Sequence, residues 1–409
     1  VTRRIAVVGA GAAGLTAAWF AAKAGAEVIV LERTDKAGKK ILMSGGTRCN
    51  VLPVVMEEAD YWTSSNRNRM RRVFRSWSLE ACHDWFSADL GLDLACEVAS
   101  NKWFPTSNSA KEVRDVLLTA ALEVGAQVRY GFAMASLARS GSEWVLTSAE
   151  GDTVNADAVI LSTGGYSVPT IGTDGMGHEA VKVLGIPVSP VYPALTPLHG
   201  RHPGGELLPG VTVQTAVTIR QRSGKIIAHN HRSGFLFTHE GFSGPAILDV
   251  SHHAVMAIEG GGEMPVFEVN WTGRPAEEID ALFTRGGGTV LSMVERLVPA
   301  RLAVALVYEA GVEGVRVGDL RRDQRKALVK ALTAYELAIT GHDGWRKAEV
   351  TGGGVPLEAV DTASLAVNGH EGLHLCGEIL DVFGRIGGFN FYWAWVTGRL
   401  AGLSASHIP

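Results

Sequence analysis

One short stretch constrains this chain more than any other. Residues 4 to 9 read Arg-Ile-Ala-Val-Val-Gly, an apolar run that suits a strand buried on both faces, as in a parallel sheet. Gly9-Ala10-Gly11-Ala12-Ala13-Gly14 follows, and Ala12 to Lys23, rich in Ala and Leu, reads as a helix. A second strand, Glu27 to Leu31, ends at Glu32, 18 residues beyond Gly14. Each part has a mechanical reason. Gly9 permits a tight turn, and Gly11 lets backbone approach a pyrophosphate at the positive end of the helix. Gly14 lets helix and strand pack closely. Glu32 is placed to accept hydrogen bonds from adenosine ribose hydroxyls, and its charge repels a 2′-phosphate. The full order, not the glycines alone, predicts a dinucleotide site.

That motif does not separate FAD from NAD. The segment after Glu32 does better: Lys39-Lys40-Ile41-Leu42-Met43-Ser44-Gly45-Gly46-Thr47-Arg48-Cys49-Asn50 reads as a glycine-hinged loop of cations and amides, suited to lie along a pyrophosphate and a flavin edge. Composition narrows the class further. With 46% apolar and 20% charged residues the chain has a large core to bury. A net charge of −4 disfavours a globally basic nucleic-acid binder. No apolar run reaches the roughly 18 residues that span a bilayer, and no secretory signal is visible, so no membrane partner is expected. The cysteines Cys49, Cys82, Cys96 and Cys376 form no CxxC pair and no zinc pattern. Reduced thiols in a cytoplasmic protein are the expectation.

The domain layout follows from texture. Lys111–Val124 reads as an amphipathic helix, Gln127–Tyr130 as a strand, and Phe132–Leu137 with Trp144–Thr147 as a small antiparallel sheet. Asp157 to Gly165 is another buried strand ending in glycines, where a dinucleotide meets the carboxyl edge of a parallel sheet. Pro190, Pro193 and Pro197 then mark a boundary. Residues 211–270 alternate like β-strands, and 275–335 look helical, with Asp323–Leu337 at helical spacing. The predicted organisation is a nucleotide domain split into 1–190 and 349–409 around an insert at 191–348. The insert holds a β part, about 191–270 and 336–348, and a helical part, about 271–335. Arg67, Arg69, Arg71, Arg72 and Arg75 crowd one segment; a solvated helix face with Val73, Phe74 and Trp77 turned inward is the expected reading.

Near the carboxyl end, Gly372 to Glu378 is a short strand ending in Gly377-Glu378. Asp381, Gly384, Arg385 and Gly387-Gly388-Phe389-Asn390 follow, then a helix from about Phe391. A second helix start behind paired glycines implies a second anion or carbonyl site. These segments, with Ser44 to Asn50, Thr163-Gly164-Gly165, Phe237 to Pro245 and Thr351-Gly352-Gly353-Gly354-Val355, occur in an order that resembles the aminoacetone-oxidase-like bacterial flavoproteins. That family includes reductases of unsaturated bile-acid ketones.

The resemblance implies an α/β fold: a Rossmann-like FAD-binding domain split by an inserted β-barrel plus α-helical substrate domain, with FAD held non-covalently. It assigns Gly9, Ala10, Gly11, Ala13 and Gly14 to the pyrophosphate and Glu32 to the ribose, with Arg33 and Lys40 nearby. Arg48, Cys49 and Asn50 would lie near the flavin, and the backbone of Met134 near adenine. Thr163 and Gly164 would flank the dinucleotide. Asp381 would serve the ribityl or pyrophosphate region; Gly377, Glu378, Gly387, Gly388, Phe389 and Asn390 belong to the flavin end. Four departures stand out: Thr47 for a glycine, Phe389 for a tyrosine, His178 for a tyrosine, and Thr362-Ala363-Ser364-Leu365 for a Met-Glu-Ser-Lys ending. The family's substrates are therefore not carried over.

A flavin supplies redox chemistry, and the protein supplies orientation and electrostatics. No second GxGxxG follows a strand, so either the substrate reduces the flavin or NAD(P)H docks transiently without its own fold. His239 is the candidate acid or base, set in a glycine-flanked segment. The pairs His199/His202, His229/His231 and His252/His253 lack carboxylate or cysteine partners at ligand spacing, so no metal is expected. Tyr166, Tyr392, Trp393 and Trp395 are candidate pocket residues, the two tryptophans better suited to core packing. The expected partner is a small molecule, either an amine oxidised with oxygen or a compound whose conjugated C=C bond is reduced. The alternative is a flavoprotein that binds or modifies RNA through the arginine cluster. Oligomeric state is open.

Overall fold

The computed structural model describes residues 2–205 and 208–407; within that span the side chains of Ile171, His231 and Arg232 are outside the described set. The chain divides into two compact units, 1–191 with 350–409, and 192–349.

The first unit is built on the predicted strand–turn–helix–strand. Strand β1 (Arg4–Val8) leads into helix α1 (Ala12–Lys23), and strand β2 (Glu27–Glu32) returns beside β1. Helix α2 (Lys39–Met43) and helix α3 (Arg67–Phe74) follow. The five-stranded parallel sheet has the order Leu373–Leu375, Ala158–Leu161, β1, β2, Gln127–Tyr130. Val7 pairs with Ile160 on one side and Val30 on the other. The continuous apolar runs are explained by this arrangement, because Ile5, Ala6, Val7 and Ala158 to Leu161 are all fully buried.

The carboxyl-terminal helix, Phe389–Ser406, crosses α1 so closely that only glycine fits at two of its positions. A Cβ on Gly398 would lie 2.5 Å from the Ala13 carbonyl oxygen, and one on Gly402 2.4 Å from that of Ala17. Small residues on both helices thus let the two ends of the chain share one core. Aromatic side chains lock the contact through hydrogen bonds. Trp393 Nε1 donates to the Gly377 carbonyl at 3.1 Å and Trp395 Nε1 to the Val51 carbonyl at 3.0 Å. Both tryptophans are core residues, as expected. Tyr392 departs from its reading as a pocket residue: it is 1% exposed, and its hydroxyl donates to the Trp77 carbonyl.

In the second unit a seven-stranded antiparallel sheet runs Tyr335–Glu336, Val266–Asn270, Thr212–Arg220, Ile226–Phe237, Gly241–Ser243, Leu198–Arg201, Ala338–His342. Its two edge segments are separated in the chain by Leu337 alone. Helices Ala276–Arg285, Val290–Val294, Ala300–Glu309 and Arg322–Thr333 pack with it around a core containing Phe235, Phe237, Trp271 and Leu306. Two local expectations fail. Within the stretch read as alternating strands, Pro245–Leu248 and His252–Gly260 are helical; Pro245 fixes a helix start, and Ala246-Ile247-Leu248 is buried without alternation. The helix expected over 323–337 ends at Thr333, where the chain turns into the edge strand at Tyr335. Among the described residues no helix is long and apolar enough to cross a membrane.

The helix crossing generates a prediction. An exposed helical Gly→Ala change gains up to about 1 kcal/mol. At Gly402 the added methyl must push backbone aside, which costs about 1–3 kcal/mol and outweighs that gain. Gly402→Ala is expected to lower the urea midpoint followed by tryptophan fluorescence, with an unchanged m-value.

Candidate cofactor site

The three motif glycines serve different purposes. Gly9 has φ +100°, and a Cβ there would sit 2.7 Å from the Ser162 carbonyl oxygen. A Cβ on Gly14 would lie 1.9 Å from the Gly9 oxygen, which forces close helix–strand contact. Gly11 is unlike both. Its φ of −84° and ψ of −169° suit any residue, and a Cβ there would meet no protein atom within 4 Å. Gly11 also caps α1 without a side-chain hydrogen bond, and no acidic residue occupies the first turn. Nothing within the unit requires glycine at this position. The open space beside it at the helix amino terminus suits an anion, which would satisfy the unpaired first-turn N–H groups.

Glu32 closes the turn. Its Oε2 accepts from Ala10 N–H at 2.9 Å; its Oε1 accepts from Thr34 N–H at 2.8 Å and Thr34 Oγ1 at 2.7 Å. A carboxylate offers about four lone-pair sites, so one of them, on Oε2, remains for a ribose hydroxyl. Arg33 pairs with Asp174 at 2.5 Å. Met134 begins the strand Met134–Ser140, its side chain in the core.

Lys40 joins distant parts of the chain. The loop expected around it is instead the short helix α2 followed by a 3₁₀ turn at Ser44–Thr47. Lys40 Nζ donates to Glu378 Oε2 at 2.7 Å and to Ser167 Oγ at 2.6 Å. The other Glu378 oxygen accepts from Thr351 N–H at 2.9 Å. Burial pushes the Glu378 carboxyl up, but the Lys40 ammonium and the Thr351 donors overcome it and hold the group below the ordinary carboxylate range. The side chains of Lys40 and Glu378 are only 29% and 18% exposed. The Lys40–Glu378 pair was invisible in sequence, as were the roles of Ser167 and Thr351. The only hint was the glycine richness of the segments that carry them.

Other expected residues turn toward the protein itself. Arg48 donates to Glu97 Oε2 and Asn108 Oδ1, each at 2.8 Å, and lies over the Phe104 ring. Cys49 is fully buried, and burial pushes its thiol up to about 12, so it is neutral. Asn50 Oδ1 lies against Gly45, where a Cβ would be 2.6 Å from it. Asp381 is 2% exposed and accepts from Ser64 N–H at 3.0 Å and from Ser64 Oγ. Asn390 exchanges two 2.8 Å hydrogen bonds with the Gly384 backbone. Gly387 and Gly388 take left-handed φ values of +120° and +93°, and Gly388 caps the last helix. The Phe389 carbonyl accepts from the Tyr61 hydroxyl. Thr163 Oγ1, beside Gly164, is a buried hydroxyl with no partner among the described residues.

In the second unit His239 is exposed on the turn between Ile226–Phe237 and Gly241–Ser243. Spacing had given the histidine pairs no carboxylate neighbours. Tertiary structure supplies them to one: His199 Nε2 lies 3.1 Å from Asp343 Oδ1 and 3.2 Å from Glu240 Oε2. Lys347 already offers Asp343 a cation at 3.0 Å. On α3 and just beyond it, Val73, Phe74 and Trp77 are buried as expected; Arg69 and Arg71 pair with Glu358 and Glu58.

A family model described as HI0933-like protein Rossmann domain matches residues 3–404. Two relatives align end to end. The ribosomal RNA dihydrouridine synthase of Escherichia coli strain K12 is 29% identical over 95% of this chain and 94% of its own. The 3-dehydro-bile acid delta(4,6)-reductase of Clostridium scindens is 28% identical over 99% of this chain and 100% of its own. The 3-ketosteroid-delta4-(5alpha)-dehydrogenase of Rhodococcus jostii RHA1 shares the fold, with a TM-score of 0.50 at 15% identity over 99% of this chain and 97% of that one.

The ion pair makes a pH-dependent prediction. Because the Glu378 carboxyl is held below its unfolded value of about 4.3, its stabilisation is complete above that value and is lost as pH falls through the folded one. Glu378→Gln is expected to cost about 1–3 kcal/mol at pH 7, less than the loss of a fully buried pair. The gap between variant and wild type in urea titrations should narrow below about pH 4.

Proposed function

The chain belongs to the HI0933-like protein family of flavoenzyme oxidoreductases, and we propose that it holds FAD and saturates a carbon–carbon double bond conjugated to a carbonyl. Gly11 carries the cofactor reading: neither its backbone conformation nor protein packing demands glycine there, and a ligand seated against it would. The orphaned Thr163 hydroxyl fits the same occupant. In this reading Gly9, Ala10, Gly11, Ala13 and Gly14 hold the pyrophosphate, with Thr163 and Gly164 alongside. The free lone pair of Glu32 takes the ribose, and the Met134 backbone meets adenine. Lys40, Arg48, Asn50, Gly377, Glu378, Asp381, Gly387, Gly388, Phe389 and Asn390 surround the remainder, Cys49 packs behind them in the core, and Arg33 stands at the margin. A bound flavin supplies two-electron hydride chemistry. The start of the last helix offers N–H dipoles that favour negative charge at the flavin's carbonyl edge.

The relatives favour reduction over amine oxidation. A dihydrouridine synthase adds two hydrogens across a uracil C=C bond beside a carbonyl, and a delta(4,6)-reductase of a 3-dehydro bile acid saturates bonds conjugated to a ketone. The shared chemistry is the part that transfers to this chain. The domain reading goes with it: a split FAD domain and an inserted substrate domain whose sheet closes as a barrel. Laid flat, seven strands put the edges about 29 Å apart at about 4.8 Å per gap. Leu337 alone reaches about 7 Å between the two edge segments, which supports a sheet that curls on itself. His239 is the insert's candidate proton-transfer group.

One observation favours a second reading, in which the double bond belongs to a uridine in RNA. Arg67, Arg72 and Arg75 on and beside α3 are exposed and make no ion pair among the described residues. RNA binding that weakens with salt and is lost on replacing all three with Gln would support it.

Two measurements test the main reading. Gly11→Val should fold with an unchanged circular dichroism spectrum yet bind FAD at least about 100-fold more weakly, about 2.7 kcal/mol; equal affinity would remove the cofactor from this turn. Anaerobically, NADH or NADPH should bleach the bound flavin, and a conjugated enone or uridine-containing RNA should restore its colour. Bleaching by amines alone would instead assign the oxidase reaction.

A further inference from the structure

Tyr166 begins where Thr163-Gly164-Gly165 ends, just beyond the strand Ala158–Leu161. Its backbone N–H donates to Thr351 Oγ1 at 2.8 Å, and the Thr351 N–H donates to Glu378, the carboxylate that holds Lys40. The Tyr166 backbone is therefore anchored to the network at the carboxyl edge of the sheet. Gly175 fixes its position, since a Cβ there would lie 1.9 Å from Tyr166 Cζ. The ring stacks on His178, with centroids 5.3 Å apart and planes 20° from parallel. Its hydroxyl donates to Glu179 Oε1 at 3.2 Å, and the same oxygen accepts from Lys182 Nζ at 2.8 Å. Glu179 is exposed, so the chain of polar atoms runs from a fixed phenol to solvent.

We propose that Tyr166 is the catalytic proton donor for the double-bond reduction and that Glu179 connects it to water. This rests on the reductase reading above. The balance is simple. Two electrons and one proton arrive as hydride from the reduced cofactor at the β-carbon of the conjugated bond. The Tyr166 O–H bond breaks as a C–H bond forms at the α-carbon, which completes the addition of two hydrogens. The phenolate then recovers a proton from water by way of Glu179.

Three other acids among the candidate-site residues are committed elsewhere. Lys40 is held by Glu378 and Ser167, Asp381 accepts from Ser64, and Cys49 is sealed in the core. His178 makes a 3.2 Å hydrogen bond to the Ile379 carbonyl, which its Nε2–H must donate. Burial holds its pKa down, so the ring is neutral with that one proton spent. The phenol has the opposite character. Burial first, then the Glu179 carboxylate, push it up to about 12, with Asp174 adding in the same sense. It is protonated across the neutral range and regains its proton readily after each turnover.

The test uses FAD-loaded protein, reduced anaerobically and mixed with 2-cyclohexenone, a 4-en-3-one steroid, or a uridine-containing oligoribonucleotide. With whichever acceptor reoxidises the wild type, Tyr166→Phe should be slowed about 10²–10⁴-fold, while FAD affinity and reoxidation by oxygen stay unchanged. Independently of turnover, the ζ-¹³C tyrosine resonance that disappears in Tyr166→Phe should shift in Glu179→Gln and again when the acceptor is added to oxidised protein. Equal reoxidation by the two proteins overturns the assignment. So does a parallel loss with oxygen, which marks a structural role, or a loss in His239→Asn with none in Tyr166→Phe. A resonance that ignores both Glu179 and the acceptor overturns it as well. Failure of every acceptor with the wild type removes the reductase reading, and this assignment falls with it.

Discussion

Strand Leu373–Leu375 hydrogen-bonds to Ala158–Leu161, which hydrogen-bonds to β1, and so the sheet beneath the amino-terminal glycine turn is incomplete until the carboxyl-terminal segment is in place. Several contacts in the first unit inherit that constraint. Lys40 finds Glu378, Val51 finds Trp395, and Tyr61 finds the Phe389 carbonyl only because the last segment returns to the first. The chain can hold a large insert because the return is fixed by a dense core rather than by the linkers. Gly398 and Gly402 remove the side chains that would keep the last helix away from α1. Dispersion and apolar burial across that contact then supply what a single ion pair could not.

What the sequence disclosed and what it concealed divide by range. The strand–glycine–helix–strand unit was legible because each residue acts on neighbours a few positions away: Gly9 on its own φ, Gly14 on Gly9, Glu32 on Ala10 and Thr34. The inward face of α3 was legible from spacing for the same reason. Partners were not. Asp381 and Asn390 were expected to face a ligand, yet Ser64 and Gly384 already use much of their hydrogen-bonding capacity. Lys40–Glu378 and His199–Asp343 join residues far apart in sequence, and no local pattern marks them. The helices at Pro245–Leu248 and His252–Gly260 hid in a stretch read as strands because short apolar runs carry no decisive period.

The departures noted in sequence also take on structure. His178, where a tyrosine is usual for the resembled family, is fully buried with its ring against Tyr166. The aromatic pair sets a phenol against a neutral imidazole at this corner. Gly175 and Gly177 make room around it: a Cβ on the first would strike Tyr166, and one on the second would lie 1.9 Å from Thr163 Oγ1. Backbone without side chains here lets one segment carry both the orphaned hydroxyl and the fixed phenol.

The electrostatics of the nucleotide turn follow from the same economy. Two of the cations expected near the turn are already matched by protein carboxylates, Lys40 by Glu378 and Arg33 by Asp174. That leaves α1, whose amino terminus has no side-chain cap and no acid in its first turn. Its free N–H groups are fixed dipoles that need no reorganisation when an anion arrives. In the proposed reading, binding in this corner is a matter of shape and backbone dipoles, and Gly11, the glycine least needed by the protein, is the one on which a dinucleotide would depend.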